Sequence, residues 1–299
     1  MQLNTAMDTQ QLQAFITIAE LNSFSKAAQQ LHLTQPAVSK RIANLEDNLG
    51  CKLLDRIGRS IRLTEAGSAL LPRAKKILNE FNDTRNAISN LSGNVQGSLK
   101  LATSHHIGLH HLPNILRRYT EQFPNVDLEL EFLDSDKAYE AIQQGKIELA
   151  IITLSTQKHQ SINTLPLWHD QLNFVCSVNH PLALEKNPTL HDLAKYPAIL
   201  PDASTTTTQL VQTLMNKANT ELKLSMPTNY LETIKMMISI GLGWSALPST
   251  LIDDQLVTLN LKDATLSRTL GCITNQRHSL SNAAQAFIRL IEESTALDK

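Results

Sequence analysis

At Ser98 the hydrophobic pattern changes from a helical period to alternating short strands and helices, and this switch restricts the fold more than any other feature. Ahead of it apolar residues recur every three or four positions for some ninety residues. Beyond it, strand-like runs and helix-like runs take turns to the end. Ser92-Gly93-Asn94-Val95-Gln96-Gly97 between the two regimes reads as a hinge. A chain of 299 residues exceeds one comfortable core, so at least two domains are expected. No apolar run approaches the roughly 18 residues of a membrane span, and Met1 to Thr5 lack the pattern of a secretory signal, so a cytoplasmic location is expected. Cys51, Cys176 and Cys272 are too few and too scattered for a disulfide framework or a thiolate zinc site. The latter two fall in predicted strands, as buried inert thiols do.

The opening region predicts three helices. Asp8 and Gln11 form a capping box, and Leu12, Phe15, Ile16 and Ala19 make one apolar stripe. Asn22-Ser23 breaks this helix and Ser25 caps a second, whose Ala27-Ala28 pair allows a steep helix crossing. Thr34 caps the third, with Gln35 and Pro36 in its first turn, where a missing N–H costs nothing. Val38, Ile42, Leu45 and Leu49 point inward, and Gly50 supplies the left-handed stop.

Fixing that inward face fixes the outer one as Gln35, Pro36, Ala37, Ser39 and Lys40, with Arg41 at its flank. These residue types read a DNA major groove: Gln pairs with adenine, Lys or Arg with guanine, and Pro or Ala touches a thymine methyl. A helix-turn-helix presents the first residues of its second helix in this way. Charge agrees. Residues 1–95 carry +3 and the remainder −4, so the net −1 hides a basic module. Two short apolar stretches around Ile57-Gly58-Arg59-Ser60 predict a hairpin wing whose Arg56, Arg59 and Arg62 face the sugar-phosphate backbone.

The stretch from Phe15 to Gly67 resembles the winged helix-turn-helix of LysR-type transcriptional regulators. The likeness rests on Ser23-Phe24-Ser25-Lys26-Ala27-Ala28, Leu31 through Ser39, Leu45-Glu46, Leu49-Gly50, Leu53-Leu54-Asp55-Arg56 and Leu63 through Gly67. Two departures stand out: Leu54 where the family usually has Phe, and Lys40 where Arg is commoner. The first is a conservative core change, and the second bears on base preference at one operator position.

From Thr64 a helical period continues to Leu91 through Leu70, Ala74, Ile77, Phe81, Thr84, Ile88 and Leu91. Steps of four and three ask for a partner helix. With no other apolar element nearby to cover it, dimer pairing is expected, and the resemblance implies the same role, in a dimer or dimer of dimers. Pro72 either kinks this helix or marks its start.

Beyond the hinge, strands are expected at 99–103, 126–133, 149–152, 173–178, 198–200, 244–247 and 269–274. Helices are expected at 112–123, 139–144, 205–217, 231–240 and 281–294. Such alternation predicts a mainly parallel sheet covered on both faces. Gly97 through Leu101, Phe123-Pro124, Ala141 through Ala150 and Gly241 through Pro248 resemble the effector domain of the same family, which is similar to two-lobed periplasmic binding proteins. The expected organisation is therefore an all-α winged helix-turn-helix at 7–64, a linker helix at 65–91, a hinge at 92–97 and a two-lobed α/β effector domain at 98–299. One lobe would comprise about 98–168 and 272–299, the other about 169–271.

Open α/β sheets bind ligands beyond the carboxyl ends of strands and at helix amino-termini. That rule selects Thr103, Ser104, His105 and His106 after the first strand of this domain, Thr153 after the third, and Ser204, Thr205 and Thr206 opening a helix. Hydroxyls and backbone N–H groups gathered this way suit a small anion or carboxylate. Gly97 to Pro113 resembles the sulfur-related regulators of the family, in which hydroxyl residues matching Ser104 and Thr153 face the ligand; His106 departs, since those carry Thr. His106 and His110, four apart, can share one ion, but no acidic or thiol partner at matching spacing accompanies them, so no metal and no cofactor are assigned.

The resulting expectation is an effector-responsive regulator of a dyad-symmetric operator. A cytoplasmic solute-binding or redox- or metal-sensing protein with a DNA module is the alternative. An enzyme is not expected: no nucleophile, base or carboxylate pair occurs in supporting context.

Overall fold

The computed structural model describes residues 7–57, 60–91, 93–262 and 264–297. The chain divides into two compact units, residues 1–91 and 92–299.

The first unit runs α1 (Thr9–Leu21), α2 (Phe24–Gln30), α3 (Gln35–Leu49), β1 (Leu54–Ile57), β2 (Ser60–Leu63) and α4 (Glu65–Asn90). Asp8 and Gln11 close the capping box at α1, and Asn22 ends that helix in the left-handed region at φ 49°. Ser23, not Ser25, caps α2, accepting the Lys26 amide at 3.2 Å. The cap sits two residues earlier than expected because Phe24 is already helical and buried in the core. Thr34 caps α3 through the Ala37 amide, and Gly50 stops it at φ 66°. Phe15, Ile18, Ala27, Val38 and Leu45 are wholly buried where the three helices cross. Truncating Phe15 to Ala at such a site costs about 3–5 kcal/mol. Leu49, expected inward, is 41% exposed, since it lies in the last turn beyond the crossing.

The hairpin β1–β2 is antiparallel, pairing Asp55 with Arg62. It is moored to α3 by the buried carboxylate of Glu46, which accepts the Leu53 amide at 2.9 Å and the Leu54 amide at 3.4 Å and pairs with Lys52 at 2.6 Å. Burial opposes ionisation of Glu46, but the Lys52 ammonium and the two amides outweigh it and hold the carboxyl below its ordinary 4.5. Gly67 lets α4 approach this corner: a Cβ there would stand 2.1 Å from the Leu53 carbonyl oxygen.

α4 corrects one expectation about its seam. Pro72 lies inside the helix on an exposed face, where water can satisfy the carbonyl it leaves unpaired. Leu70, Ala74 and Leu78 pack on the three-helix core, and Lys75 pairs with Glu20 of α1 at 2.8 Å. Only the farther half is bare: Ile77, Phe81, Ile88 and Leu91 are 41, 53, 65 and 86% exposed.

The second unit runs β3 (Gly97–Thr103), α5 (His105–His110), α6 (Pro113–Gln122), β4 (Val126–Phe132), α7 (Ser135–Gln143), β5 (Leu149–Thr153), β6 (Ile162–Ser177), α8 (Leu190–Leu193), α9 (Thr206–Lys217), α10 (Leu231–Ser239), β7 (Trp244–Pro248), β8 (Leu256–Thr258), β9 (Leu266–Asn275) and α11 (Asn282–Leu297). The strands lie in the order β4-β3-β5-β9-β6-β7, with β8 also on β6. Among the named strands only β3 runs parallel to its neighbours β4 and β5 and every other strand pairing is antiparallel, so the expectation of a mainly parallel sheet is wrong. The βαβ alternation is local to β3–β5. β6 and β9 are long return strands that pair with each other from Ile162 to Leu172.

This ribbon joins two lobes with separate cores. Leu101, Tyr119, Ile151 and Phe287 centre one, and Phe174, Met215 and Trp244 the other. The expected lobe boundaries at 168/169 and 271/272 fall inside β6 and β9. The ribbon was missed because Asn163, Thr164, Pro166, His169 and Gln171 interrupt its apolar pattern. The expected strand at 198–200 is reduced to bridges from Ala198 to Leu224 and Trp244.

Candidate DNA-reading face and interlobe cavity

In the first unit Gln35, Pro36 and Lys40 are exposed on α3, with Ala37 and Ser39 half-buried beside them. The Ser25 hydroxyl donates to Gln35 Oε1 at 3.0 Å, so α2 and α3 contribute to one polar face. Thr34 spends its hydroxyl on the cap. Arg41 donates to Gln10 Oε1 at 2.8 Å, tying the flank of α3 to α1. In the wing Arg56 lies on β1 and Arg62 is exposed on β2, while Arg59 falls outside the described residues.

In the second unit a cavity of about 380 Å³ opens between the lobes. Ser104, His105, His106, Thr153, Ser204, Thr205 and Thr206 all line it, from three separate segments of the chain. Thr103 does not. It is fully buried and its hydroxyl donates to the Ile151 carbonyl at 2.9 Å, fastening β3 to β5. One position along the strand reverses the side a residue faces, which separates Thr103 from Ser104. Thr205 acts as N-cap of α9, accepting the Thr208 amide and donating to the Asp202 carbonyl at 2.8 Å. The amides opening α9 have no acceptor within the helix, as at any helix start.

Two charged residues beside this cleft, Arg268 and Glu232, are not among those the sequence selects. Arg268 of β9 lines the cavity; its Nε donates to Asp170 of β6 at 2.8 Å and its Nη1 to Thr207 at 2.9 Å. Both charged side chains are only 8% exposed. The signal was available, since Arg268 is the one charged residue of the stretch Leu266–Asn275. Glu232, in the first turn of α10, supplies the acidic partner that the histidine cluster lacked in sequence. Its Oε1 lies 3.1 Å from His110 Nε2 and 3.9 Å from His106 Nδ1, and its Oε2 lies 3.6 Å from His105 Nδ1. The sequence separation of 122 between His110 and Glu232 hides this pairing from any spacing rule.

Burial, reinforced by the Arg268 charge and the neighbouring imidazoles, pushes His106 down to about 3, so its ring is neutral near pH 7. His105 is flanked by Phe132 and by the edge of Tyr230, with ring centres 5.5 and 5.2 Å away. Cys176 and Cys272 are both buried, and burial raises both thiols, Cys176 to about 11. Neither is an accessible thiolate.

Known proteins share both units. Residues 9–68 match the family model described as "Bacterial regulatory helix-turn-helix protein, lysR family", and residues 92–296 match "LysR substrate binding domain". A "Probable RuBisCO transcriptional regulator" of Synechocystis sp. is 31% identical over 290 residues, spanning 93% of this chain and 84% of the relative. An "Uncharacterized HTH-type transcriptional regulator in ibpB-leuC intergenic region" of Azotobacter vinelandii is 64% identical over 107 residues, 36% of this chain and 74% of the relative. Among solved structures, full-length CbnR complexed with its target DNA is similar at a TM-score of 0.63 and 22% identity, covering 96% of this chain and 99% of that one.

A winged helix-turn-helix followed by a two-lobed cavity domain defines a transcriptional regulator with a substrate-binding module, not an enzyme. The chain belongs to the LysR family of such regulators.

Proposed function

We propose that the chain reads a dyad-symmetric operator through Gln35, Pro36, Ala37, Ser39 and Lys40, as a dimer or dimer of dimers. A small carboxylate in the interlobe cavity would modulate this binding. The observation that carries the ligand class is Arg268, a guanidinium set in the cavity wall next to Thr207 in the first turn of α9. Hydroxyls from Ser104, Thr153 and Thr206 surround the same space. Asp170 already offsets the Arg268 charge, and Asp134, Asp136 and Asp202 line the cavity as well, so a dianion such as sulfate is disfavoured against a monoanion. The volume is at the small end of the range for small-molecule sites.

Two features support the assembly. The bare half of α4 offers the unpaired apolar seam a second copy would cover, and the basic module bears exposed Lys40 and Arg62 for groove and phosphate contacts. No helix among the described residues is long and apolar enough to cross a membrane. Acting on an operator, the protein would work in the cytoplasm.

The test joins both halves. Footprinting with the wild type should protect a two-fold symmetric site, and Gln35→Ala should weaken it by about 1–3 kcal/mol, the worth of one bidentate base contact. In thermal melts of the full chain, a monocarboxylate at 100 times its Kd should raise the effector-domain transition by roughly 5–11 °C, from about 2.7 kcal/mol of linkage. Unchanged footprinting by Gln35→Ala would remove the reading-helix assignment. A panel in which neutral sugars shift the melt and carboxylates do not would remove the ligand class.

A further inference from the structure

His105 and His106 line the effector cavity, but anion binding does not account for the Glu232 carboxylate set among His105, His106 and His110. His106 is 5% exposed, yet neither of its ring nitrogens has a hydrogen-bond partner among the described residues. A neutral imidazole carries one N–H and one lone pair, and leaving both unmet in the interior is costly. Glu232 Oε2 and His105 Nδ1 are likewise buried atoms without a hydrogen bond. Three imidazole nitrogens and one carboxylate oxygen are thus buried close together without a hydrogen bond.

The geometry is that of a cation site. His106 and His110 stand on one face of α5 with ring centres 4.7 Å apart, and Glu232 reaches between them from α10. One ligand atom from each of the three lies within 4.8 Å of the others. Bonds of about 2.0–2.1 Å in a tetrahedron place donors roughly 3.4 Å apart, so the three donors must close by up to about 1.4 Å to share an ion. Two imidazoles and one carboxylate suit a borderline divalent transition ion, and this trio leaves a fourth position open. His105 can supply that position or act as the outer partner that orients Glu232. Glu232 and His110 are 34 and 30% exposed at their side chains, which gives the ion a way in from solvent.

We infer that His106, His110 and Glu232 form a binding site for a zinc-class divalent cation that bridges the two lobes of the effector domain. Two ligands ride on α5, whose Ile107 packs in the first lobe's core, and the third on α10, whose Ile234 packs in the second lobe's core. An ion held by all three therefore links the lobes beside the cavity, which His106 also lines. Occupancy would favour whichever lobe arrangement keeps the three donors together, and so bias the effector domain without touching the DNA face.

The experiment uses the full chain, stripped with a chelator and titrated with zinc and with cobalt under calorimetry and visible absorption. The expected result is one ion per chain, a tetrahedral cobalt spectrum and a raised effector-domain melting temperature. Glu232→Gln and, separately, His110→Gln should each weaken zinc by more than the roughly 10–100-fold that loss of a mere outer partner costs. Both positions are partly exposed, and melts of the metal-free variants check that they fold. His106→Asn serves as a third, buried probe. A wild type that takes up no stoichiometric ion overturns the inference. Binding that survives both Glu232→Gln and His110→Gln places the ion elsewhere and overturns it equally. The carboxylate melts described above are run on the stripped chain, so failure of the metal site leaves that reading intact.

Discussion

The mooring of the wing to the reading helix can be tested at Glu46. In Glu46→Ala the Leu53 amide, on a residue only 1% exposed, loses its acceptor inside the core. An unsatisfied buried amide costs about 1–3 kcal/mol. The longer Leu54 contact adds less, and Lys52, 72% exposed at its side chain, adds at most about 1 kcal/mol. The expected loss is about 2–4 kcal/mol, which lowers the melting temperature of a unit this size by roughly 8 °C or more. Scanning calorimetry of the full chain reads the transition of the amino-terminal unit, and amide hydrogen exchange at Leu53 and Leu54 localises the damage. Lys52→Met separates the two kinds of contact: it should cost about 1 kcal/mol or less. Glu46 sits below its ordinary 4.5 when folded, so its contribution is whole above that pH and fades as pH falls through the folded value. The gap between wild type and Glu46→Ala should thus be flat above pH 4.5 and shrink below it. A loss under 1 kcal/mol, or Lys52→Met costing as much as Glu46→Ala, would refute the amide-based account. Operator affinity should fall together with stability, since the hairpin bearing Arg62 is then no longer held against α3.

Two further outcomes follow from the same reasoning. Arg268→Met strands the buried Asp170 carboxylate and should cost the effector domain about 3–5 kcal/mol by denaturant titration, much of it recovered by adding Asp170→Asn. Phe81→Asp with Ile88→Asp, both on the bare half of α4, should reduce the oligomer to monomer in sedimentation while leaving the amino-terminal unit's melting temperature within about 0.5 kcal/mol of stability.

What sequence reveals here is what short range encodes. The caps at Asp8 and Thr34, the left-handed Gly50 and the inward row Val38, Ile42, Leu45 are all local, and all are found as read. The hydroxyl segments 103–106, 153 and 204–206 were selected by a rule about strand ends, and all but Thr103 line one cavity. The rest depends on partners far along the chain. Glu232 reaches the histidines, and Asp170 reaches Arg268, only after the ribbon of β6 and β9 has folded. That ribbon itself was illegible because Pro166 and a run of polar residues disguise a strand whose hydrogen bonds are long-range. The half-covered seam of α4 was half-read for a related reason: periodicity gives the stripe, but only the packing of α1 against Ala74 shows where its own domain stops covering it.

The ribbon has a mechanical consequence. Pro166 is paired with Gly271 and the register slips between Pro166 and Trp168, so the ladder lacks a rung where a proline has no N–H to give. Gly271 has no side chain because a Cβ would stand 2.4 Å from the Leu165 carbonyl oxygen. Elsewhere β6 and β9 pair in regular register, so this joint is the irregular point of the ribbon. The two lobe cores are thus joined by a continuous sheet with its break in register within the shared ribbon, not by a flexible tether. An effector domain that closed on a ligand would therefore have to bend a sheet, with Pro166 and Gly271 as its least-bonded place.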